Sequence, residues 1–177
     1  MEVTKFAVMI LFASCMSAAW AVPAFEGVTF DKQSTLCNAI NTRATVVPDG
    51  SGISVLFDKM QIEAGGKSRE HDRMRCDMTL KFAAKLDAPV TIQMDVRGDV
   101  DLTGGGAASA TVAMHGRKQM LNFDMKDDAG FHRVMVNLPK GAKKLDMTFE
   151  ASAKGDSPDS SALIAIDSLE AVFESKP

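Results

Sequence analysis

The sequence predicts an all-β chain: a two-sheet antiparallel β-sandwich of jelly-roll type carrying one disulfide. Three observations predict it. Apolar residues recur at every second position over long stretches, which puts them on one face of an extended strand. Many alternating runs follow one another at short spacing, and clusters of Gly, Pro, Asn and Asp stand between them. No stretch of ordinary helix length shows apolar residues three and four apart; Ser34 to Asn41 has room for two turns at most.

Taken in order, the chain begins with Lys5 in a short charged region, an apolar run from Phe6 to Met16, and Ala19-Trp20-Ala21 ahead of Val22-Pro23. These are the parts of a secretory signal peptide, so residues 1–21 are expected to be removed and 22–177 to form a single β-sandwich domain. The apolar run is too short to span a bilayer, which takes about 20 residues, so no transmembrane segment is expected in the mature chain. Phe12-Ala13-Ser14-Cys15 is a loose lipobox and offers an alternative: a lipid anchor on Cys15. Export to the periplasm or beyond the cell is the expectation either way.

After the signal, Ala24 to Phe30, Thr42 to Val47 and Ile53 to Phe57 read as strands, with Pro48-Asp49-Gly50-Ser51-Gly52 as the turn between the last two. Asp58 to Glu63 is weaker strand material, and Ala64 to Asp72 reads as a mobile loop. The longest regular stretch, Met74 to Leu102, reads as one β-hairpin turning at Asp87-Ala88-Pro89. Met74, Cys76, Met78, Leu80, Phe82, Ala84 and Leu86 share one parity, as do Val90, Ile92, Met94, Val96, Gly98, Val100 and Leu102. With Leu86 opposite Val90, Lys81 would meet Asp95, Arg75 would meet Asp101, and Asp77 would face Asp99 as a like-charge pair. Further strands follow at Ala108 to Met114, Leu121 to Met125, Phe131 to Asn137, Leu145 to Ala153 and Ala162 to Phe173. Gly104-Gly105-Gly106, Gly116-Arg117-Lys118, Asp127-Asp128-Ala129-Gly130 and Pro139-Lys140-Gly141 supply turns, the third of them a hairpin signal.

Cleavage at Ala21 leaves Cys37 and Cys76 as an even pair in an oxidising compartment, so a Cys37–Cys76 disulfide is expected on the oily side of the strand that carries Cys76. Cleavage also takes the only Trp, and the chain has no Tyr. Flat aromatic platforms for sugar rings are thereby excluded, although a polar or Ca²⁺-assisted carbohydrate site is not. The net charge of -3, with basic and acidic residues interspersed, argues against nucleic acid as a partner.

Candidate chemistry is sparse. Asp77, Asp95, Asp99 and Asp101 share an outward parity, and Asp77, Asp99 and Asp101 are the set expected to hold Ca²⁺ if any does, since hard cations take clustered carboxylate oxygens. The competing expectation is a solvated sheet face balanced by Arg75, Lys81 and Arg97. His71, His115 and His132 fit no catalytic motif, and no other cofactor pattern occurs. Met74, Met78 and Met94 have core parity rather than the arrangement of a copper site. Arg97-Gly98-Asp99 falls inside a predicted strand and not at a loop tip.

From Cys37 to about Lys118 the chain resembles the secreted family catalogued as domain of unknown function 4360. The likeness runs through Cys37, Val47-Pro48-Asp49-Gly50, Leu56-Phe57-Asp58, a Gly-containing loop with Ser68, Arg73 and Arg75 before Cys76, and Val96-Arg97-Gly98 followed by Leu102. It implies a secreted, all-β, disulfide-bonded domain and supplies no activity. The last strand, with Asp167 inside an apolar run, is similar to the closing strand of galactose-binding-type jelly rolls. The expected function is therefore an exported, non-enzymatic binding or structural module for an unidentified surface or extracellular ligand. The alternative is a secreted hydrolase or Ca²⁺-assisted carbohydrate-binding protein using the acidic strand face.

Overall fold

The computed structural model describes residues 23–31, 37, 40–58, 60–65, 71–121, 130–155, 157 and 159–174, and for His71 the backbone alone. The expected signal peptide and Cys15 lie outside the described residues, as do most of the Ser34 to Asn41 and Asp127 to Gly130 segments. Among the described residues there are eleven strands and no helix: β1 Phe25–Phe30, β2 Thr42–Val46, β3 Gly52–Phe57, β4 Gln61–Gly65, β5 His71–Phe82, β6 Val90–Thr103, β7 Ala107–Met114, β8 Arg117–Leu121, β9 Phe131–Leu138, β10 Lys144–Lys154 and β11 Ser161–Phe173.

They form two antiparallel sheets. One has the order β1-β5-β10-β7-β8; the other runs β2-β3-β11-β6-β9, with β4 also paired to β11. Strands β4 to β11 wind as a jelly roll, β4-β11-β6-β9 against β5-β10-β7-β8. Successive strands of that set lie in opposite sheets at every step except the β7–β8 hairpin.

This topology overturns the Met74–Leu102 hairpin. β5 and β6 belong to different sheets: β5 pairs with β1 and β10, β6 with β11 and β9. The segment between them crosses from one layer to the other, anchored where Phe82 and Leu86 donate backbone hydrogen bonds to Lys143 and Ala142, both at 3.0 Å. The pairs expected across the hairpin, Lys81 with Asp95 and Arg75 with Asp101, therefore do not form. The parity assigned to the two strands nevertheless holds through most of their length. Met74, Cys76, Met78, Leu80 and Phe82 are buried, and so are Ile92, Met94 and Val96, because each strand turns its oily side to the other sheet and not to a strand beside it. At the strand ends it fails: Leu102 is 48% exposed, and Ala84 lies beyond the end of β5.

Two smaller expectations also change. Ala64 and Gly65 belong to β4, and His71 and Asp72 to β5, so the presumed loop is shorter than its composition suggests. β8 and β9 lie in different sheets, and Asp127, Asp128 and Ala129 of the expected hairpin turn lie outside the described residues.

The Asp within the last apolar run has a structural cause. In the β11–β6 register Ile166 faces Gly98 and Ser168 faces Arg97, leaving Asp167 as the extra residue of a β-bulge. Burial shifts phase there, from Ala162, Ile164 and Ile166 before it to Leu169 and Ala171 after it. Beside the start of β11, Gly106 is required by close approach: a Cβ there would stand 2.1 Å from the carbonyl oxygen of Ser161. Cys37 and Cys76 are bonded, with Cα atoms 5.5 Å apart, and both are buried in the core as expected. On the chain-entropy account, closing a loop of 39 residues stabilises the fold by about 4 kcal/mol.

Candidate functional site

The outward side chains of the five-stranded sheet stand in rows set by its register. Along β5 and β10 the facing pairs are Lys81 and Lys144, Thr79 and Asp146, Asp77 and Thr148, Arg75 and Glu150, and Arg73 and Ser152. β1 adds Thr29 beside Thr79, and β7 adds Ala113 beside Thr148 and Thr111 beside Glu150. The short side chain of Ala113 leaves the centre low. An open depression of ≈ 590 Å³ lies there, floored by Thr79, Asp77, Asp146 and Thr148, with His115 at one rim and Phe30, partly buried, at another.

Hydrogen bonds fix this floor. Arg75 grips Asp77 through two donors, Nε at 2.8 Å and an Nη at 3.1 Å, and Thr148 donates its hydroxyl to the same carboxylate. Thr79 donates to Asp146 at 2.6 Å, and the Lys144 ammonium stands 2.7 Å from the other oxygen of Asp146. Glu150 takes Lys118 at 2.6 Å and Arg75 at 3.4 Å, extending the network across three strands.

The charges follow from these contacts. The bond from Arg75, with help from Thr148, holds Asp77 below the usual carboxylate range against the effect of burial. At Asp146 burial acts to raise the value, but it is outweighed by the bonds from Lys144 and Thr79 and by the Lys144 and His115 charges, so this group too is lowered. Glu150 is lowered by Lys118 first. The floor is thus ionised and held in place at neutral pH.

The Ca²⁺ candidates do not assemble. Asp77 faces outward on the five-stranded sheet, whereas Asp99 and Asp101 face outward on β6 of the other, because β5 and β6 are not neighbours. Among the described residues no three His, Cys, Asp or Glu side chains form a group that could hold a metal ion. Asp95 is bound instead by Arg133 at 2.8 and 3.0 Å. Asp99 lies near the bulge, where burial first and the Asp99 charge second push Asp167 above the ordinary carboxylate value.

The remaining candidates take ordinary places. His115, at φ 47°, sits in the β7–β8 turn, and the His132 ring is 3.1 Å from the Gln119 amide across the open edges of β8 and β9. Met74, Met78 and Met94 are core residues. Arg97-Gly98-Asp99 lies within β6, with Gly98 buried opposite Ile166.

Thr79, Asp146, Thr148 and Glu150 were not singled out in the sequence. The alternation of Asp146, Thr148 and Glu150 against Leu145, Met147 and Phe149 marks them as outward. Only the pairing of β10 with β5, some 70 residues earlier, sets them beside Asp77.

No protein-family model matches the chain, and no curated protein matches its sequence. Among solved structures it is similar to TmCBM61 in complex with β-1,4-galactotriose, at 8% identity and a TM-score of 0.29, over 89% of this chain and 90% of that one. It is also similar to the carbohydrate-binding module CBM36 in complex with calcium and xylotriose, at 15% identity and a TM-score of 0.30, over 83% of this chain and 98% of that one. Neither likeness, at such a score, assigns a role to any residue here.

Proposed function

We propose that this chain is an exported, non-catalytic binding module that takes a glycan along the outer face of its five-stranded sheet. The observation that carries this reading is the floor of Thr79, Asp146, Asp77 and Thr148. Four hydrogen-bonding side chains stand side by side in an open depression, already oriented by Arg75 and Lys144. A carboxylate offers about four lone-pair sites and a hydroxyl keeps two after donating, so the floor can still accept hydrogen bonds from sugar hydroxyls. Preorganisation lowers the entropy cost of binding.

A hydrolase is the weaker reading. Acid–base cleavage of a glycoside needs one carboxyl held protonated beside another that is ionised. Asp77 and Asp146 are both lowered, and the raised Asp167 belongs to the opposite sheet. Export is supported by the signal-peptide pattern of residues 1–21 and by the buried Cys37–Cys76 bond, which suits an oxidising compartment; a lipid anchor at Cys15 is the alternative mode. Kinship with the domain of unknown function 4360 family belongs to the same reading and rests on the order of its motifs.

Affinity electrophoresis through gels containing soluble plant, algal and bacterial polysaccharides tests the proposal. Retardation by at least one polymer, lost in Thr148→Val and Asp146→Asn proteins that circular dichroism shows still folded at the assay temperature, is the expected result. Absence of retardation by every polymer, or release of reducing sugar by the wild type, would overturn it.

A further inference from the structure

One end of the same face carries a lysine cluster that two distant segments build together. Lys81 and Lys85 come from the end of β5 and the crossing that follows it, Lys143 and Lys144 from the approach to β10. Four backbone hydrogen bonds lock these segments: Phe82 to Lys143 at 3.0 Å, Leu86 to Ala142 at 3.0 Å, Gly141 to Leu86 at 2.7 Å, and Ala83 to Ala24 at 2.9 Å. The result is a depression of ≈ 530 Å³ lined by these four lysines, with Glu26 as the sole acid among its lining residues.

Lys81 and Lys144 stand directly opposite each other on adjacent antiparallel strands. Like charges so placed destabilise a sheet. Lys144 is neutralised by Asp146, but among the described residues Lys81, Lys85 and Lys143 form no ion pair. In a chain of net charge -3 these cations, outside any ion pair and carried on a locked backbone with Glu26 as the one acid lining the depression, make a distinct local field, and it adjoins the Thr79–Asp146 row of the proposed glycan floor.

We infer that the module selects acidic polysaccharides. Uronic-acid carboxylates would seat on Lys81, Lys85 and Lys143 while neighbouring sugar hydroxyls meet Thr79, Asp146 and Thr148. Ammonium groups are compact point charges that suit a carboxylate without demanding bidentate geometry. This inference rests on the glycan reading and narrows it to one ligand class.

Calorimetric titration with polygalacturonate and glucuronoxylan oligosaccharides, each beside its carboxyl-reduced counterpart, tests it on the full mature chain. The wild type is expected to bind at least one acidic form tenfold or more tightly than its neutral counterpart, a preference that 0.5 M NaCl removes. Lys81→Gln/Lys85→Gln/Lys143→Gln should bind both forms at the neutral affinity, with a melting temperature no lower than that of the wild type, since the substitution relieves the Lys81–Lys144 repulsion. Equal wild-type affinity for acidic and neutral forms would overturn the inference and leave the glycan reading intact, as would a preference that survives the triple substitution. Binding of anionic phospholipid vesicles with no binding of any glycan would overturn both.

Discussion

Phe25 and Phe173 stack with ring centroids 4.4 Å apart, one ring on the edge strand of the five-stranded sheet and the other at the end of β11 in the facing sheet. Phe82 meets both, at 5.8 and 5.7 Å, so three rings close one end of the sandwich between its layers. Phe82→Ala is expected to lower the unfolding free energy by about 3 to 5 kcal/mol. Phe131→Ala, on a ring 43% exposed at the edge strand β9 with the Arg133 guanidinium 5.8 Å above it, should lower it by only about 1 kcal/mol. Urea denaturation of the two variants measures both.

Reduction is the second lever. Cys37 lies between β1 and β2, and its bond to Cys76 ties that connection into the core. Replacing both cysteines with alanine should cost about 4 kcal/mol from lost chain closure. The loss appears as a lower urea midpoint in the variant, and adding reductant to the variant should lower it no further.

Acid should weaken the fold through a defined set of groups. Asp77, Asp95, Asp146 and Glu150 are lowered in the folded state, so their contribution is present above their ordinary values of 3.8 and 4.5. It fades as pH falls through their lower folded values. Asp167 has the opposite sign: its folded value is raised, so its ionisation opposes folding as pH rises. Asp167→Asn is therefore expected to raise the melting temperature at pH 7 and to leave it unchanged near pH 3. Calorimetric scans at the two pH values read this difference.

Strand neighbours can be read energetically. A double-mutant cycle on Asp95 and Arg133 should give a coupling of about 0.5 to 1 kcal/mol, since they form a two-donor pair across β6 and β9. The cycle on Lys81 and Asp95 should give none within error, because those residues lie in different sheets.

That contrast marks where sequence reasoning reached and where it stopped. Alternation told which side of β5 and β6 is buried, since Met78 and Met94 obey it whichever strand lies alongside. It carried no information about the hydrogen-bonding neighbour. Two apolar strands joined by a short segment satisfy the same period as a hairpin or as facing layers, and a jelly roll uses the second arrangement for most successive strands. The disulfide was legible because Cys37 and Cys76 are the two cysteines outside the expected signal peptide. Asp167 stood out as an acid in an apolar run, but the bulge and the phase shift in burial that account for it needed the β6 register. The proposed binding face was not legible, because Asp77 and Thr148 meet only after β10 returns beside β5.

On the proposed function, ligand engages the outer face of the five-stranded sheet. Backbone amide shifts followed by NMR during titration with a bound polysaccharide fragment test it most directly. The account predicts the largest changes at Asp77, Thr79, Lys81, Lys144, Asp146 and Thr148, with β6, β9 and β11 unmoved. Changes confined to the outward residues of the six-stranded sheet, around Asp95, Asp99 and Arg133, would contradict it.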